Sequence, residues 1–291
     1  MNVKQFIKRH PNLFRLCKQL YRFIYKRHIY ALTAPIRTLP DFIVFAGDRS
    51  GTTSLYHNLQ KHPCIYASDH DHLGFFDDNF EMGVHWYKSF FPTTLLKHYV
   101  KFRRKYFMAY EVTAQYYRRP WAIRNILKLI PNVKLIAILR NPVDVAYSNY
   151  SNKFPNLKDI SFEDVIKKEL QIIDQVKNEI EKNDHITSLM ENLVLARGLY
   201  VYQLKRCLKH VPKNQILFLS TEELNNDHNK TFQVIFSFLN LPKYEIKYEK
   251  KNIGQYSQKM NSETREFLIN FYKPHNKKLY ELIGKNFDWD K

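Results

Sequence analysis

Short, wholly apolar runs alternate with amphipathic stretches along most of this chain, and that alternation restricts its fold more than any other feature. The runs DFIVFAG (41–47), VKLIAILR (133–140) and QILFLS (215–220) have the length of single strands and no polar face. That is the pattern of strands buried on both sides of a parallel sheet. CIYAS (64–68) and KYFMAYEVT (105–113) read as two more strands. Between and after them lie helical patterns: TTSLYHNLQKH, VHWYKSFF stopped at Pro92, WAIRNILKLI ending at Pro131, PVDVAYSNYSNKF and KTFQVIFSFLNL. Longer helices are expected over about 162–182 and 192–210, and the C-terminal tail reads as helical but broken at Pro274. Strand–helix alternation implies an α/β fold, a parallel β-sheet flanked by helices. In such a sheet the ligand lies beyond the C-terminal strand ends.

The chain has 291 residues, enough for one large α/β domain. With 44% apolar and 15% aromatic residues it is not a disordered polymer, and no repeat or flexible linker interrupts it. The formal net charge is +18, and half of it falls in the first forty residues, which hold nine Lys and Arg and no acid. The chain therefore divides into a basic N-terminal extension, 1–38, and a main domain, 39–291. Apolar residues at near-helical spacing in the extension suit either an amphipathic helix lying on an anionic membrane or a helix packed on the domain. A strongly basic protein attracts anions such as nucleotides and acidic glycans; nucleic acid is not expected, because no nucleic-acid motif accompanies the charge. Cys17, Cys64 and Cys207 are dispersed and odd in number, which suggests neither a zinc site nor a redox pair. No run is long enough to span a membrane and no signal-peptide core is present, so a cytoplasmic location with membrane association through the extension is the expectation.

Two strand ends carry unusual chemistry. FAGDRSGTTSL (45–55) resembles a phosphate-binding loop, but no lysine precedes the hydroxyl residues and Arg49 stands inside the loop. Backbone N–H groups between Gly47 and Gly51, a helix start near Thr52, and the hydroxyls of Ser50, Thr52, Thr53 and Ser54 would surround an anion. By itself the stretch also fits an ordinary strand–turn–helix corner with a threonine N-cap. At the second end, KLIAILRNPVDVAYSNY, a buried strand runs directly into Arg140, with Ser148 on the following helix. A nucleotide kinase often wants an acid at such a strand end to hold magnesium. A cation there, and no metal cluster, points to a nucleotide bearing anionic groups at two separate places.

These motifs resemble those of sulfotransferases that use 3′-phosphoadenosine 5′-phosphosulfate, PAPS. DRSGTTSL is similar to the family's 5′-phosphosulfate loop and LRNPVDVAYSNY to its 3′-phosphate motif. FFDDNFEMGVHWYKSFFP (75–92), ARGLYVYQLKRCLKHVPKNQILFLSTEEL (196–224) and the C-terminal PHNKKLYELIGKNFDWD resemble the carbohydrate branch, that of the heparan sulfate sulfotransferases. The resemblance implies a P-loop-like nucleotide-binding fold and PAPS as co-substrate without a metal. It places Arg49 on the leaving phosphate, Arg140 and Ser148 on the 3′-phosphate, and Arg197 on the nucleotide. KKNIGQYS (250–257) is similar to a late cofactor loop, which adds Gly254, Gln255 and Tyr256. Arg49 stands where the family usually has lysine.

The largest departure lies before Phe75. The carbohydrate branch has a Lys-Glu pair there, its glutamate the catalytic base, whereas this chain reads HDHLGFF, so that Asp71 and His72 fall on the pair. His72 suits a base because histidine titrates near neutrality; Glu111, in YEVTAQYY, is the second candidate. Either residue also has a plainer reading, as a solvated loop side chain or a paired strand-end acid. The implied reaction moves a sulfuryl group to a hydroxyl or amino group of a glycan or glycolipid acceptor. The alternatives are a non-catalytic protein of the same fold that binds anionic glycan or membrane, and, less well supported, a nucleotide kinase.

Overall fold

The computed structural model describes residues 13, 17, 20, 30–154, 160–182, 193–251 and 260–291. Most of the basic extension, with any membrane helix in it, and the residues Gly254, Gln255 and Tyr256 lie outside the described residues. The apolar runs become strands β1 (Phe42–Ala46), β2 (Ile65–Ala67), β3 (Met108–Val112), β4 (Lys134–Leu139) and β5 (Ile216–Ser220). They form one sheet in the order β2-β3-β1-β4-β5, with every pair parallel. The expected α/β architecture is therefore present.

The period of two along β1 assigns its side chains to opposite layers. Phe42, Val44 and Ala46 pack with Leu55, Leu59, Phe232 and Phe236 on one face. Ile43 and Phe45 pack with Phe75, Tyr87, Tyr117 and Leu204 on the other. All five β1 residues are fully buried, and full burial of an aliphatic or aromatic side chain contributes about 1.5–3 kcal/mol. The central strand is thus clamped from both sides, and the loop that leaves it starts from a rigid base.

The helices are α1 (Thr52–Leu59), α2 (Gly83–Lys88), α3 (Thr94–Arg104), α4 (Pro120–Leu129), α5 (Pro142–Lys153), α6 (Phe162–Leu170), α7 (Ile173–Lys182), α8 (Tyr200–Cys207), α9 (Thr221–Asn226), α10 (His228–Phe238) and α11 (Ser262–Ile283). Local chemistry sets several starts. Pro142 occupies the first turn of α5, where its missing N–H costs nothing, and the Asn141 side chain accepts from Val143 N. Ser220 and Glu223 form a reciprocal capping box at α9.

Four local expectations are corrected. The N-cap of α1 is Gly51 rather than a threonine. The helix expected over 162–182 is two, α6 and α7. In place of one helix over 192–210, α8 is flanked by 3₁₀ turns at Ala196–Gly198 and Leu208–His210. Helix α11 runs unbroken through Pro274. An interior proline costs about 3 kcal/mol, and burial of Leu268 and Tyr272 before it and Leu279 after it offsets that cost.

From β1 the chain first fills the β3 side of the sheet and then crosses to β4 and β5, so the order reverses between β1 and β4. That reversal opens a crevice beyond the C-terminal ends of these two strands, where open α/β sheets bind ligands.

Candidate active site

A cleft of about 430 Å³ occupies that crevice. Segments following all five strands line it: Asp48, Arg49 and Gly51 after β1, His72 after β2, Ala114 and Gln115 after β3, Arg140 after β4, and Thr221 and Asn225 after β5. Thr52, Thr53 and Ser54 line it from the first turn of α1, and Ser148 from α5.

The loop 47–51 takes its shape from two glycines. Gly47 donates to Ile138 O at 2.9 Å, tying the loop to β4, and a Cβ there would sit 2.8 Å from the Tyr200 hydroxyl. Gly51 has φ of 80°, in the left-handed region that favours glycine, and begins α1 without a side-chain cap. The first-turn N–H groups of a helix have no intrahelical acceptor and carry the positive end of its dipole. Thr221 Oγ1 lies 3.0 Å from both Ser50 O and Leu139 O and shares its one proton between them, fastening the loop to β4. Ser50 itself is buried.

Arg49, Arg140 and Ser148 meet. Arg49 Nε donates to Ser148 Oγ at 3.0 Å, and Arg140 Nη1 donates to Arg49 O at 3.0 Å. Tyr200 holds the Arg140 carbonyl from behind, its hydroxyl donating at 2.9 Å. The two places assigned to separate anionic groups thus adjoin one another in this structure. Arg49 has φ of 59° and His72 φ of 55°, uncommon values for residues with a side chain. Backbone held in such regions clusters at functional sites, and both of these residues face the cleft.

His72 lies between the cleft and a second cavity of about 270 Å³, lined by His72, Gly74, Asp77, Asp78, Asn79, Thr113 and Gln115. Its backbone N–H donates to Val112 O at 2.7 Å, and Nδ1 accepts a long bond, 3.4 Å, from Ala114 N. Arg119 pairs with both Asp77, at 2.9 Å, and Asp78 on the cavity wall.

Glu111 lines neither space. It is paired in register with Ile43 and lies in the layer beneath the sheet, fully buried. Burial pushes its carboxyl up to about 8, and the Tyr116 and Tyr87 hydroxyls only partly oppose that shift. Neither carboxyl oxygen has a hydrogen bond of normal geometry. A neutral acid enclosed this way is not placed to take a proton from a ligand in the cleft.

Arg197 is not among the residues lining the cleft. Its Nη1 donates to Asp48 Oδ2 at 2.8 Å and to Asn149 Oδ1 at 3.4 Å. Arg118 reaches the other Asp48 oxygen at 3.3 Å. No local motif marks Asp48 in the sequence, yet its carboxylate joins the loop to two arginines from distant segments. Ser54 lines the cleft, but its hydroxyl donates to Lys251 O at 3.1 Å and accepts from Lys251 N at 2.9 Å. Asn58 makes the equivalent pair with Glu249, at 2.7 and 2.9 Å, so the segment 249–251 is docked along α1. Tyr248, Lys250 and Lys251 complete the cleft wall. In the sequence the two lysines stand at the head of the expected cofactor loop, and that position is the signal that marks them. Among the described residues no cluster of three or more His, Cys, Asp or Glu side chains is arranged to hold a metal ion, and no helix is long and apolar enough to cross a membrane.

Comparison with known proteins matches residues 39–283 to the family described as "Sulfotransferase domain". The membrane-associated sulfotransferase kil1 of Dictyostelium discoideum is 26% identical, over 86% of this chain and 66% of that protein. Human bifunctional heparan sulfate N-deacetylase/N-sulfotransferase 3 is 26% identical, over 89% of this chain and 32% of its own length. The chain therefore spans about a third of the length of that heparan sulfate relative. Among solved structures, a sulfotransferase from Alicyclobacillus acidocaldarius superposes with a TM-score of 0.64 at 24% identity, covering 87% of this chain and all of that one, which shows a shared fold.

Proposed function

The chain belongs to the sulfotransferase family, and on that footing we propose that it moves a sulfuryl group from PAPS to a hydroxyl or amino group of a carbohydrate. The observation that carries this reading is the meeting of Arg49, Arg140 and Ser148 at the sheet's switch point, over the uncapped start of α1. Two guanidiniums, a hydroxyl and a helix N-terminus suit a nucleotide with phosphate or sulfate at both ends. The polar cavity beyond His72 gives an acceptor hydroxyl a way to the same point, and relatives named for heparan sulfate support a glycan there.

In this reading Arg49 and the loop N–H groups stabilise charge growing on the bridging oxygen as the S–O bond breaks. Arg140 and Ser148 hold the 3′-phosphate. His72 accepts the acceptor's proton at the junction of the two spaces. To do so through Nε2, the ring must give up its long bond to Ala114 N and carry its own proton on Nδ1. Asp48 keeps Arg197 and Arg118 against the back of the loop, and Lys250 and Lys251 add positive charge to the cleft wall that receives the nucleotide. The basic residues of 1–38 draw the protein toward an anionic membrane.

Transfer of labelled sulfate from PAPS to a panel of glycans, glycolipids and small alcohols tests the reading. Labelled product on a sugar is expected; product on the small alcohols alone rejects the carbohydrate assignment, and no product with any acceptor rejects the donor.

A further inference from the structure

Helix α3 shows an apolar face to solvent. Leu95, Tyr99 and Phe102 recur at i, i+4 and i+7, so they share one side of the helix, and they are 79%, 61% and 88% exposed. Val100, on another side, is the helix's buried residue. A second exposed apolar segment adjoins it. The turn Tyr30–Ile36 presents Leu32 and Ile36, and it is joined to the start of α3 by the Arg37–Thr93 bridge and by Thr94 Oγ1 donating to Ile36 O at 3.1 Å. Cations border this surface: Lys101, Arg103, Arg104 and Lys105 are all exposed, and no acid occurs from Thr93 to Tyr106.

From this pairing of an exposed apolar stripe with an unbroken cationic border, we propose that α3 and the Tyr30–Ile36 turn dock the protein peripherally on an anionic lipid surface. The occupant has to be apolar in its centre and negative at its rim. A second copy of the chain fails that requirement, because a symmetric contact sets the same cations against one another. Residues 1–29 of this chain fail it too, since they hold eight Lys and Arg and no acid. An anionic bilayer meets both demands: its acyl boundary receives Leu95, Tyr99 and Phe102, and its headgroups receive the lysines and arginines. Aromatic residues such as Tyr99 are at home in that boundary zone.

The placement also sets an orientation. Helix α3 leads into the start of β3, and Lys97 pairs at 3.7 Å with Asp41, just ahead of β1. The docking face therefore lies at the N-terminal edge of the sheet, and the cleft lies beyond the C-terminal edge. A docked molecule holds its cleft away from the bilayer, open to an acceptor that projects from the surface or approaches from solution.

The test is co-sedimentation of the full chain with phosphatidylcholine vesicles, with and without phosphatidylserine. The parent protein is expected to bind the phosphatidylserine vesicles and to release as salt is raised. The double variant Tyr99→Ser/Phe102→Ser should partition at least roughly tenfold less, since two large apolar side chains no longer insert. Its thermal midpoint and its affinity for adenosine 3′,5′-bisphosphate should match the parent, because both side chains are exposed and remote from the cleft. Binding of the double variant equal to the parent's overturns the proposal and assigns membrane contact to the N-terminal basic residues alone. Equal binding to both vesicle types, or none to either, also overturns it. So does a concentration-dependent dimer of the parent that the double variant loses, which would make the face a subunit contact.

Discussion

Glu111→Gln should make the protein more stable in a manner that depends on pH, and the size of the effect follows from where Glu111 sits. Its carboxyl is fully buried in a layer with Tyr87, Tyr116 and, farther off, Asp77. Burial raises it from an ordinary 4.5 to about 8. Between those values the folded protein keeps a proton that the unfolded chain has released, so the native state loses stability as pH rises. The slope is about 1.4 kcal/mol per pH unit for one proton, which accumulates to roughly 4–5 kcal/mol across the window and then levels off. Below about pH 4.5 both states hold the proton and the contribution is flat. Glutamine is a near-isostere that never ionises, so the difference in unfolding free energy between variant and parent isolates this one group from every other carboxylate. Urea titrations at half-unit steps from about pH 5 to 8.5 measure it. The difference should grow steadily in favour of the glutamine. A flat difference would refute the reasoning, since it would mean that Glu111 ionises inside the fold without penalty. The same variant bears on chemistry: near-parental sulfate transfer is expected, and a dead but folded Glu111→Gln protein would move the catalytic base to Glu111.

Further outcomes follow from the site. Arg140→Ala should weaken adenosine 3′,5′-bisphosphate by roughly 10- to 150-fold while leaving AMP nearly unchanged, read by calorimetry; equal losses for the two nucleotides would remove Arg140 from the 3′-phosphate. Arg49→Ala should lower turnover by about 10²–10³ with a smaller change in nucleotide affinity, because its charge acts where charge develops. Arg49→Lys should recover much of that loss, and a lysine variant as slow as the alanine one would show that the guanidinium fork is required. His72→Ala should cost about 10²–10⁴ in turnover, and added imidazole should restore part of it; full activity of the alanine variant would show that His72 is not the base.

The parts of this molecule that were legible in its sequence are those where one short segment carries the whole physical requirement. β1, β4 and β5 could be read because a strand buried on both faces must be apolar throughout, and a run such as VKLIAILR leaves little else to be. The strand-end position of Arg140 could be read for the same reason. Helix α3 was not recognised: its apolar residues point outward, so its pattern does not follow a core-facing helix. Glu111 could be placed on a strand, but YEVT does not tell which layer its side chain enters or how dry that layer is. The Asp48 cluster was invisible because its arginines lie 70 and 149 positions away. The clamp between Ser54 and Lys251 spans 197 positions, so a hydroxyl expected to meet a ligand proves to be engaged by backbone.

Gly51 shows how the loop trades local stability for a binding surface. A serine, threonine, asparagine or aspartate at a helix N-cap stabilises the helix by about 1 kcal/mol relative to alanine, and glycine recovers most of that without placing any side chain over the first turn. At Gly51 the backbone is also left-handed, with φ of 80°, which a capping side chain would tolerate poorly. The residue therefore supplies the turn and leaves the end of α1 unroofed by its own cap. Neighbouring groups hold the loop in place instead: Thr221 reaches Ser50 O of the loop and Leu139 O of β4, the Gly47 N–H ties it to β4, and Arg140 grips the Arg49 carbonyl. The loop is fixed at Gly47 through its N–H and at Arg49 and Ser50 through their carbonyls, and Asp48, Arg49 and Gly51 line the cleft. An anion bound at a loop held this way leaves little to order, which is a physical condition for strong electrostatic stabilisation in a transfer reaction.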